Sequence, residues 1–193
     1  MSETTRTAAI FFADGCEEIE GLTVVDILYR AGIPLKKISV SSSLTVVSSH
    51  QLSFRCDSLI ADEDLSRYDL LILPGGIPGT LNLKACEPLR EALLAFAAQG
   101  KGLAAICAAP SVLGDLGLLR GRPCACNPSW EDALLEKGAR VIRQEVVRDG
   151  NIITSRGLGT SIPFALAILS YFKGDEAAEE MRRKIVYGAP AGC

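Results

Sequence analysis

Residues Tyr68–Leu73 read YDLLIL, an uninterrupted apolar run that ends abruptly in Pro74-Gly75-Gly76. A strand with one wet face alternates polar and apolar residues, whereas a continuous run belongs to a strand covered on both faces. Such strands occur in parallel sheets whose crossovers are helices. The run GLAAI at 102–106 has the same character, and TAAIFFA at 7–13 opens the chain with a third. Between these runs the period changes. A helical pattern covers about 17 to 31 and is stopped by Gly32-Ile33-Pro34. Another begins near Pro88, puts Leu89, Ala92, Leu93, Phe96 and Ala97 on one face, and stops at Gly100.

The remaining segments extend the alternation. ISV at 38–40 begins a second strand, and residues 44–60 alternate with β-branched residues, as a hairpin or meander does. A helix is expected near 109–116, a short strand at 123–126 and a helix at 129–137. A hairpin turning at Asp149-Gly150 and a helix from about 160 to 173 complete the pattern. Strands alternating with helices predict an α/β fold with a doubly wound, mostly parallel sheet. The length of 193 residues suits a single domain, 1–193. In such sheets ligands bind beyond the carboxyl ends of the strands. Three loops are therefore expected to meet there: 14–20, 74–79 and 106–110.

Composition narrows the function classes. Apolar residues make up 48% and charged residues 22%, which fits a globular chain. The net charge is −3 with scattered Lys and Arg, so no electrostatic footprint for specific nucleic-acid binding is present. No apolar run reaches the length of a membrane span, and MSETTRTAAIFFAD lacks the features of a signal peptide. The expected location is the cytoplasm. The seven cysteines (Cys16, Cys56, Cys86, Cys107, Cys124, Cys126, Cys193) are odd in number, irregular in spacing and free of any CxxC pair. With His50 the sole histidine, no metal site is expected, and most of these thiols read as small buried hydrophobes.

Cys107 is the exception. It follows a buried strand directly and precedes Ala108-Ala109-Pro110, so it falls on a strand-to-helix turn of the nucleophile-elbow kind. The start of the helix is expected to favour thiolate over thiol. A buried structural cysteine is the competing reading. Glu20 shares a helix face with Val24, Ile27 and Leu28. A carboxyl on an apolar stripe loses solvation, so its pKa should rise until it can donate a proton near neutral pH. Glu17 and Glu18 read instead as easily solvated first-turn charges. Gly75 and Gly76 could bring backbone N–H groups beside the sulfur as an oxyanion hole. The segment 155–160 reads as a turn, with Thr160 as a helix cap. A local Cys–His dyad is absent, so a cysteine hydrolase using imidazole as base is poorly supported.

Four stretches together resemble one family: ADGCEEIEGLTVVDILYRAG (13–32), YDLLILPGGIPG (68–79), GKGLAAICAAP (100–110) and DGNIITSRGLGTSIPFALAI (149–168). They are similar to the ThiJ/PfpI superfamily, in its Parkinson-protein (DJ-one-like) branch, across about residues 7–187. The resemblance implies a flavodoxin-like homodimer without a cofactor. It implies that Cys107 is the catalytic cysteine, Glu20 its protonated partner, and Gly76 with Ala108 the oxyanion-binding backbone. The implied activity is a glyoxalase that converts methylglyoxal to lactate, or a deglycase acting on glycated adducts. An oxidative-stress sensor or chaperone, with Cys107 oxidised to sulfinic acid, is the alternative. This chain departs from the family at the pocket. Asn127 stands where some relatives carry a histidine, and His50 where they carry an arginine. Arg30 matches a second family arginine, although Asp26 four residues earlier could simply pair with it.

Overall fold

Residues 6–188 are described by the computed structural model, so Cys193 and the outermost ends of the expected domain lie outside it. The expected apolar runs become the inner strands. The elements run β1 (Ala8–Phe12), α1 (Glu18–Arg30), β2 (Leu35–Ser39), β3 (Thr45–Val47), β4 (Ser53–Arg55), β5 (Ser58–Leu59) and β6 (Leu70–Leu73). They continue with α2 (Gly79–Ala85), α3 (Glu87–Ala98), β7 (Gly102–Ile106), α4 (Pro110–Asp115), β8 (Pro123–Cys124), α5 (Glu131–Glu136) and β9 (Arg140–Val141). The last are β10 (Val146–Asp149), β11 (Ile152–Ser155), α6 (Ser161–Lys173) and α7 (Asp175–Lys184).

Seven strands form one sheet in the order β10-β11-β7-β6-β1-β2-β5. Every neighbour pair is parallel except β10 with β11, the hairpin expected at Asp149-Gly150. The strands β1, β6 and β7 are buried along their whole length, which is why they carry no alternation. Successive side chains feed two separate cores. On one face Leu71, Leu73, Leu103 and Ala105 pack with Leu83 of α2, Leu89, Leu93 and Phe96 of α3, Leu113 of α4 and Leu134 of α5. On the other, Ile10, Phe12, Ile72 and Ile106 pack with Val24, Ile27 and Leu28 of α1, Phe164 and Ile168 of α6 and Met181 of α7. Helices on both faces make this the doubly wound, flavodoxin-like α/β fold. Among the described residues no helix is long and apolar enough to cross a membrane.

The structure moves several boundaries. The second strand starts at Leu35 rather than Ile38, because its register against β1 begins at Ala8↔Leu35. Lys36 and Lys37 interrupt the apolar pattern there, yet each is neutralised at the sheet edge, by Glu63 (3.6 Å) and Asp57 (2.7 Å). Helix α2 has too little apolar pattern to announce itself, with Leu83 its one buried large side chain. Helix α7 buries only Met181 and was hidden by its charge. The expected strand at 123–126 shortens to β8, which pairs with β9 outside the main sheet. In α3, Ala92 and Ala97 pack against the core only in part. Cys16, Cys56, Cys124 and Cys126 are buried, as expected of most of the thiols, and Cys86 and Cys107 are half-buried.

Candidate active site

The ends of β6, β7 and β11 deliver three loops to one point beyond the sheet, and α1 adds a fourth wall. Backbone bonds tie these loops together. Glu17 N–H donates to Gly75 O (2.9 Å), and Gly79 N–H donates to Gly15 O (3.0 Å). Cys107 N–H donates to Ser155 O (3.0 Å), and Asn127 N–H donates to Cys107 O (2.9 Å). The three loops expected to meet do so.

Cys107 has φ of +65°, the left-handed region that a residue with a Cβ occupies only under strain of about 1–3 kcal/mol. That backbone turn is the elbow, and it lifts the sulfur out of the strand's own hydrogen-bonding plane. Gly76 has φ of +92°, and a Cβ there would fall 2.3 Å from Glu17 N and 2.5 Å from Cys16 C. Gly75 is constrained by its neighbours, since a Cβ would fall 2.6 Å from Glu20 Oε2 and 2.7 Å from Cys107 Cβ. Glycine at both positions lets backbone reach the reacting groups. Gly75 N–H donates to Glu20 Oε2 (2.9 Å), and the backbone N–H groups of Ala108 and Gly76 lie near enough to the Cys107 sulfur to favour its charged form.

Glu20 is 1% exposed, on the apolar stripe expected from its spacing. Burial pushes its carboxyl up to about 7, against the hydrogen bonds from Cys107 and Gly75 that favour the charged form. The expectation that the helix start lowers the Cys107 thiol is corrected. Helix α4 opens only at Pro110 and is one short turn and a half, so its field at the sulfur is weak. Burial and the neighbouring Glu20 carboxylate push the thiol up to about 12, outweighing the N–H groups of Ala108 and Gly76. The two groups titrate as one unit. The pair gives up a first proton near neutral pH and holds its second far into the alkaline range. Thiolate character near neutral pH requires the arrangement in which Glu20 keeps the shared proton.

The other expected residues separate. Asn127 lies at the site: a Cβ built on Gly157 would sit 3.5 Å from Asn127 Nδ2, 3.7 Å from Cys107 Sγ and 3.8 Å from Glu20 Oε1. Arg30 does not join them within one chain. It ends α1 ten residues beyond Glu20, about 15 Å along the helix, and bonds Asp26 at 2.7 Å. His50 sits at the rim, largely exposed, with Nδ1 3.1 Å from Glu18 Oε1 and 3.6 Å from Glu17 Oε2. Glu17 and Glu18 are not the solvated charges expected, being 9% and 6% exposed. Glu17 is the N-cap of α1 and accepts from Ile19 N–H, and the hydrogen bond from His50 helps hold the Glu18 carboxyl below its usual range. Potential ligand atoms of Glu17, Glu18 and His50 lie within 4.8 Å of one another, but these residues already account for one another as ion pairs.

Three features escaped the sequence. Gly157 reads as a turn residue, yet it lines the site, because β11 is the neighbour of β7 and ends at the same edge. Thr160 stands at the N-cap position of α6 without capping it, and its hydroxyl bonds Gly157 O (2.8 Å) and Ser155 Oγ (2.7 Å) instead. Buried Glu131 accepts from Arg143 (2.9 Å) and Arg156 (3.3 Å), joining the segment after Asn127 to the Gly157 loop. No periodicity links residues so far apart in the chain.

Comparisons with known proteins agree with this geometry. The sequence profile described as the DJ-1/PfpI family matches residues 6–171. The chain is 35% identical over 187 residues to protein DJ-1 homolog B of Arabidopsis thaliana, covering 96% of this chain and 42% of that protein. It thus spans less than half the length of that relative. It is 30% identical over 172 residues to the glutathione-independent glyoxalase DJR-1.2 of Caenorhabditis elegans, covering 89% of this chain and 91% of the other. The solved structure of oxidized Toxoplasma gondii DJ-1 superposes with a TM-score of 0.90 at 30% identity, covering 95% of this chain and 99% of that one.

Proton sharing has a measurable sign. Alkylation of Cys107 should switch on with rising pH around 7, as the pair loses its first proton. In Glu20→Gln the shared site is gone and the buried thiol titrates alone, so the midpoint should move upward, beyond the ordinary thiol value of about 8.5. Rates followed by mass spectrometry of the Cys107 peptide report both profiles, and coincident midpoints would show that the two groups do not share a proton.

Proposed function

The chain belongs to the DJ-1/PfpI family, and we propose that it is a cofactor-independent cysteine enzyme acting on small 2-oxoaldehydes, with methylglyoxal converted to lactate. The observation that carries this reading is the company of the sulfur: Cys107 on its left-handed elbow sits beside the buried Glu20 carboxyl at the Gly75-Gly76 turn. The only histidine stands at the rim, paired with Glu18, so proton transfer falls to Glu20.

The reaction follows from those groups. Cys107 Sγ, as thiolate, bonds to the aldehyde carbon, and the carbonyl electron pair moves to oxygen. The N–H groups of Gly76 and Ala108 hold that oxyanion, and Glu20 delivers the shared proton to it, giving a hemithioacetal. Glu20, now a carboxylate, removes the proton from the same carbon, and an enediol forms across the two carbons. Glu20 returns that proton to the neighbouring carbon while the hydroxyl proton on the attacked carbon passes to the neighbouring oxygen, leaving a thioester of the 2-hydroxy acid. Water then breaks the C–S bond, releasing the acid and restoring the thiol and the carboxyl. The balance is one 2-oxoaldehyde and one water in, one 2-hydroxy acid out. Deglycation would use the same first step on a glycated adduct. The relative described as a glutathione-independent glyoxalase supports the substrate class.

Cys107→Ser should abolish lactate production from methylglyoxal while leaving the fold intact, since Ser is smaller and no less polar. Lactate assay on washed, chelator-treated protein checks this, and full activity in the variant would sink the reading.

A second reading rests on the same sulfur. Peroxide oxidises the thiolate to sulfenate and then, with a second equivalent, to sulfinate, each step releasing water. The Gly76 and Ala108 N–H groups and the Glu20 proton are placed to hold the added oxygens. The related Toxoplasma structure is described as oxidized. Mild peroxide should then add two oxygens at Cys107 before any other thiol, and uniform oxidation across the cysteines, read by peptide mass spectrometry, would exclude a sensor role.

The protein is further proposed to work as a homodimer. Ile19 and Leu22 are exposed on the outer face of α1, and Leu52 is exposed two residues from His50, which bonds Glu18. Exposed apolar side chains next to residues of the site suit a self-complementary contact. Sedimentation should give twice the mass of the 20.5 kDa chain, and a single-chain mass at micromolar concentration would count against it.

A further inference from the structure

His50 is exposed at the rim yet fixed in place. Its turn is clamped to the start of α1, where Ser49 N–H donates to Cys16 O (2.9 Å). Within the turn Ser48 N–H donates to Leu52 O (2.8 Å). Ser48 Oγ accepts from the N–H groups of His50 (3.3 Å) and Leu52 (3.1 Å). Gln51 completes the turn at φ of +65°, a strained conformation for a residue with a Cβ. The ring so presented meets both oxygens of Glu18, at 3.1 and 3.2 Å from Nδ1, and Glu17 Oε2 at 3.6 Å.

Both carboxyls are buried, and among the described residues the imidazole is the one cation that pairs with either. Glu17 is also bound into the reacting pair. It stands one helical turn before Glu20, and both are tied to Gly75: Glu17 N–H donates to Gly75 O (2.9 Å), and Gly75 N–H donates to Glu20 Oε2 (2.9 Å). Charge on Glu17 opposes ionisation of Glu20. The titratable groups facing Glu20 are Cys107 and Glu17, and those facing His50 are Glu17 and Glu18. Glu18 faces His50 and the Cys16 thiol, which in turn faces Cys56 and Asp14. Of all these groups His50 alone can carry positive charge.

We propose that the His50 imidazolium is the counter-charge under which the Cys107–Glu20 pair ionises: acting through Glu17 and Glu18, it sets the reactivity of the sulfur from the rim of the site. The proposal rests on the proton shared by Cys107 and Glu20 and not on the substrate class. His50 is a positioning residue here, and it passes no proton in the reaction. While the imidazole is protonated, its charge offsets the neighbouring carboxylates, and the pair can take on negative charge. The carboxylates raise the His50 pKa above its ordinary value, so that charge persists as the pair begins to ionise. After deprotonation Nδ1–H can still donate to Glu18, but the positive charge is gone and both carboxylates oppose the pair. The coupling is reciprocal, so the ionised pair makes His50 hold its proton more tightly by the same amount.

Two substitutions separate charge from contact. His50→Asn puts a neutral amide near the place of Nδ1 and can keep a bond to Glu18, whereas His50→Arg keeps a charge and changes the shape. In His50→Asn the pH midpoint of Cys107 alkylation by iodoacetamide should rise by about 0.5 to 1 unit, and the rise should shrink at high ionic strength. In His50→Arg the midpoint should stay at or below that of the wild type. A role in contact alone predicts the opposite order, with Asn matching the wild type and Arg disturbed, and that order overturns the proposal, as do coincident midpoints in all three proteins. His50 is the only histidine, so its ring-proton resonance in untagged protein titrates unambiguously. In Glu20→Gln, whose buried thiol stays neutral through this range, the His50 midpoint should fall by the same amount, and an unmoved resonance overturns the coupling. If Glu20→Gln leaves the alkylation midpoint unmoved, the shared proton itself is overturned, and an Asn–Arg difference then still upholds a charge at position 50 acting on the sulfur.

Discussion

At Gly75 the backbone packs against both Glu20 and Cys107, and at Gly76 against Cys16 and Glu17, with no room for a side chain at either. A single Cβ on Gly75 would overlap both the carboxylate oxygen and the cysteine Cβ, and one on Gly76 would overlap the backbone at Cys16 and Glu17. Everything else at the site depends on this approach. It lets Gly75 N–H reach Glu20, brings Gly76 N–H near the sulfur, and locks the start of α1 against the end of β6 through Glu17 N–H and Gly75 O. Two of the four walls are thereby placed relative to each other by backbone, the least adjustable part of the chain.

The electrostatics follow from the closeness so created. Two acids buried side by side cannot both ionise cheaply, so they hold one proton in common over a wide range of pH. This arrangement differs from a thiolate prepared by a helix end or an imidazole. The nucleophile forms only as the carboxyl becomes an acid, so a charged sulfur is always accompanied by a proton donor at the right distance. Acid, base and nucleophile are one coupled unit, which suits a reaction in which a proton must leave one carbon and return to its neighbour. The strained backbone of Cys107 is a further cost at this edge of the sheet, of the kind that concentrates at functional sites.

Much of this was legible in advance. The continuous runs at 68–73 and 102–106 required a parallel sheet, because only strands covered on both faces can dispense with polar residues. The rule that parallel sheets bind ligands beyond their carboxyl ends then brought Asp14–Glu20, Pro74–Gly79 and Ile106–Pro110 together. Cys107 after a buried strand, and Glu20 on the stripe of Val24, Ile27 and Leu28, followed from local pattern. The charged helix α7 and the edge residues Lys36 and Lys37 did not, since their partners lie in other elements and leave no periodic trace.

The fold class, the elbow under Cys107 and the burial of Glu20 thus follow from hydrophobic spacing and from residues adjacent in the chain. Tertiary structure alone decided what those groups do to one another. It showed that the neighbouring carboxylate, not the helix end, governs the Cys107 proton. It buried Glu17 and Glu18 against His50, separated Arg30 from the site, and tied Asn127 by its backbone N–H to Cys107 O. Proton affinity and hydrogen-bond direction depend on distances of a few ångströms between segments far apart in sequence, and those distances exist only once the loops have converged.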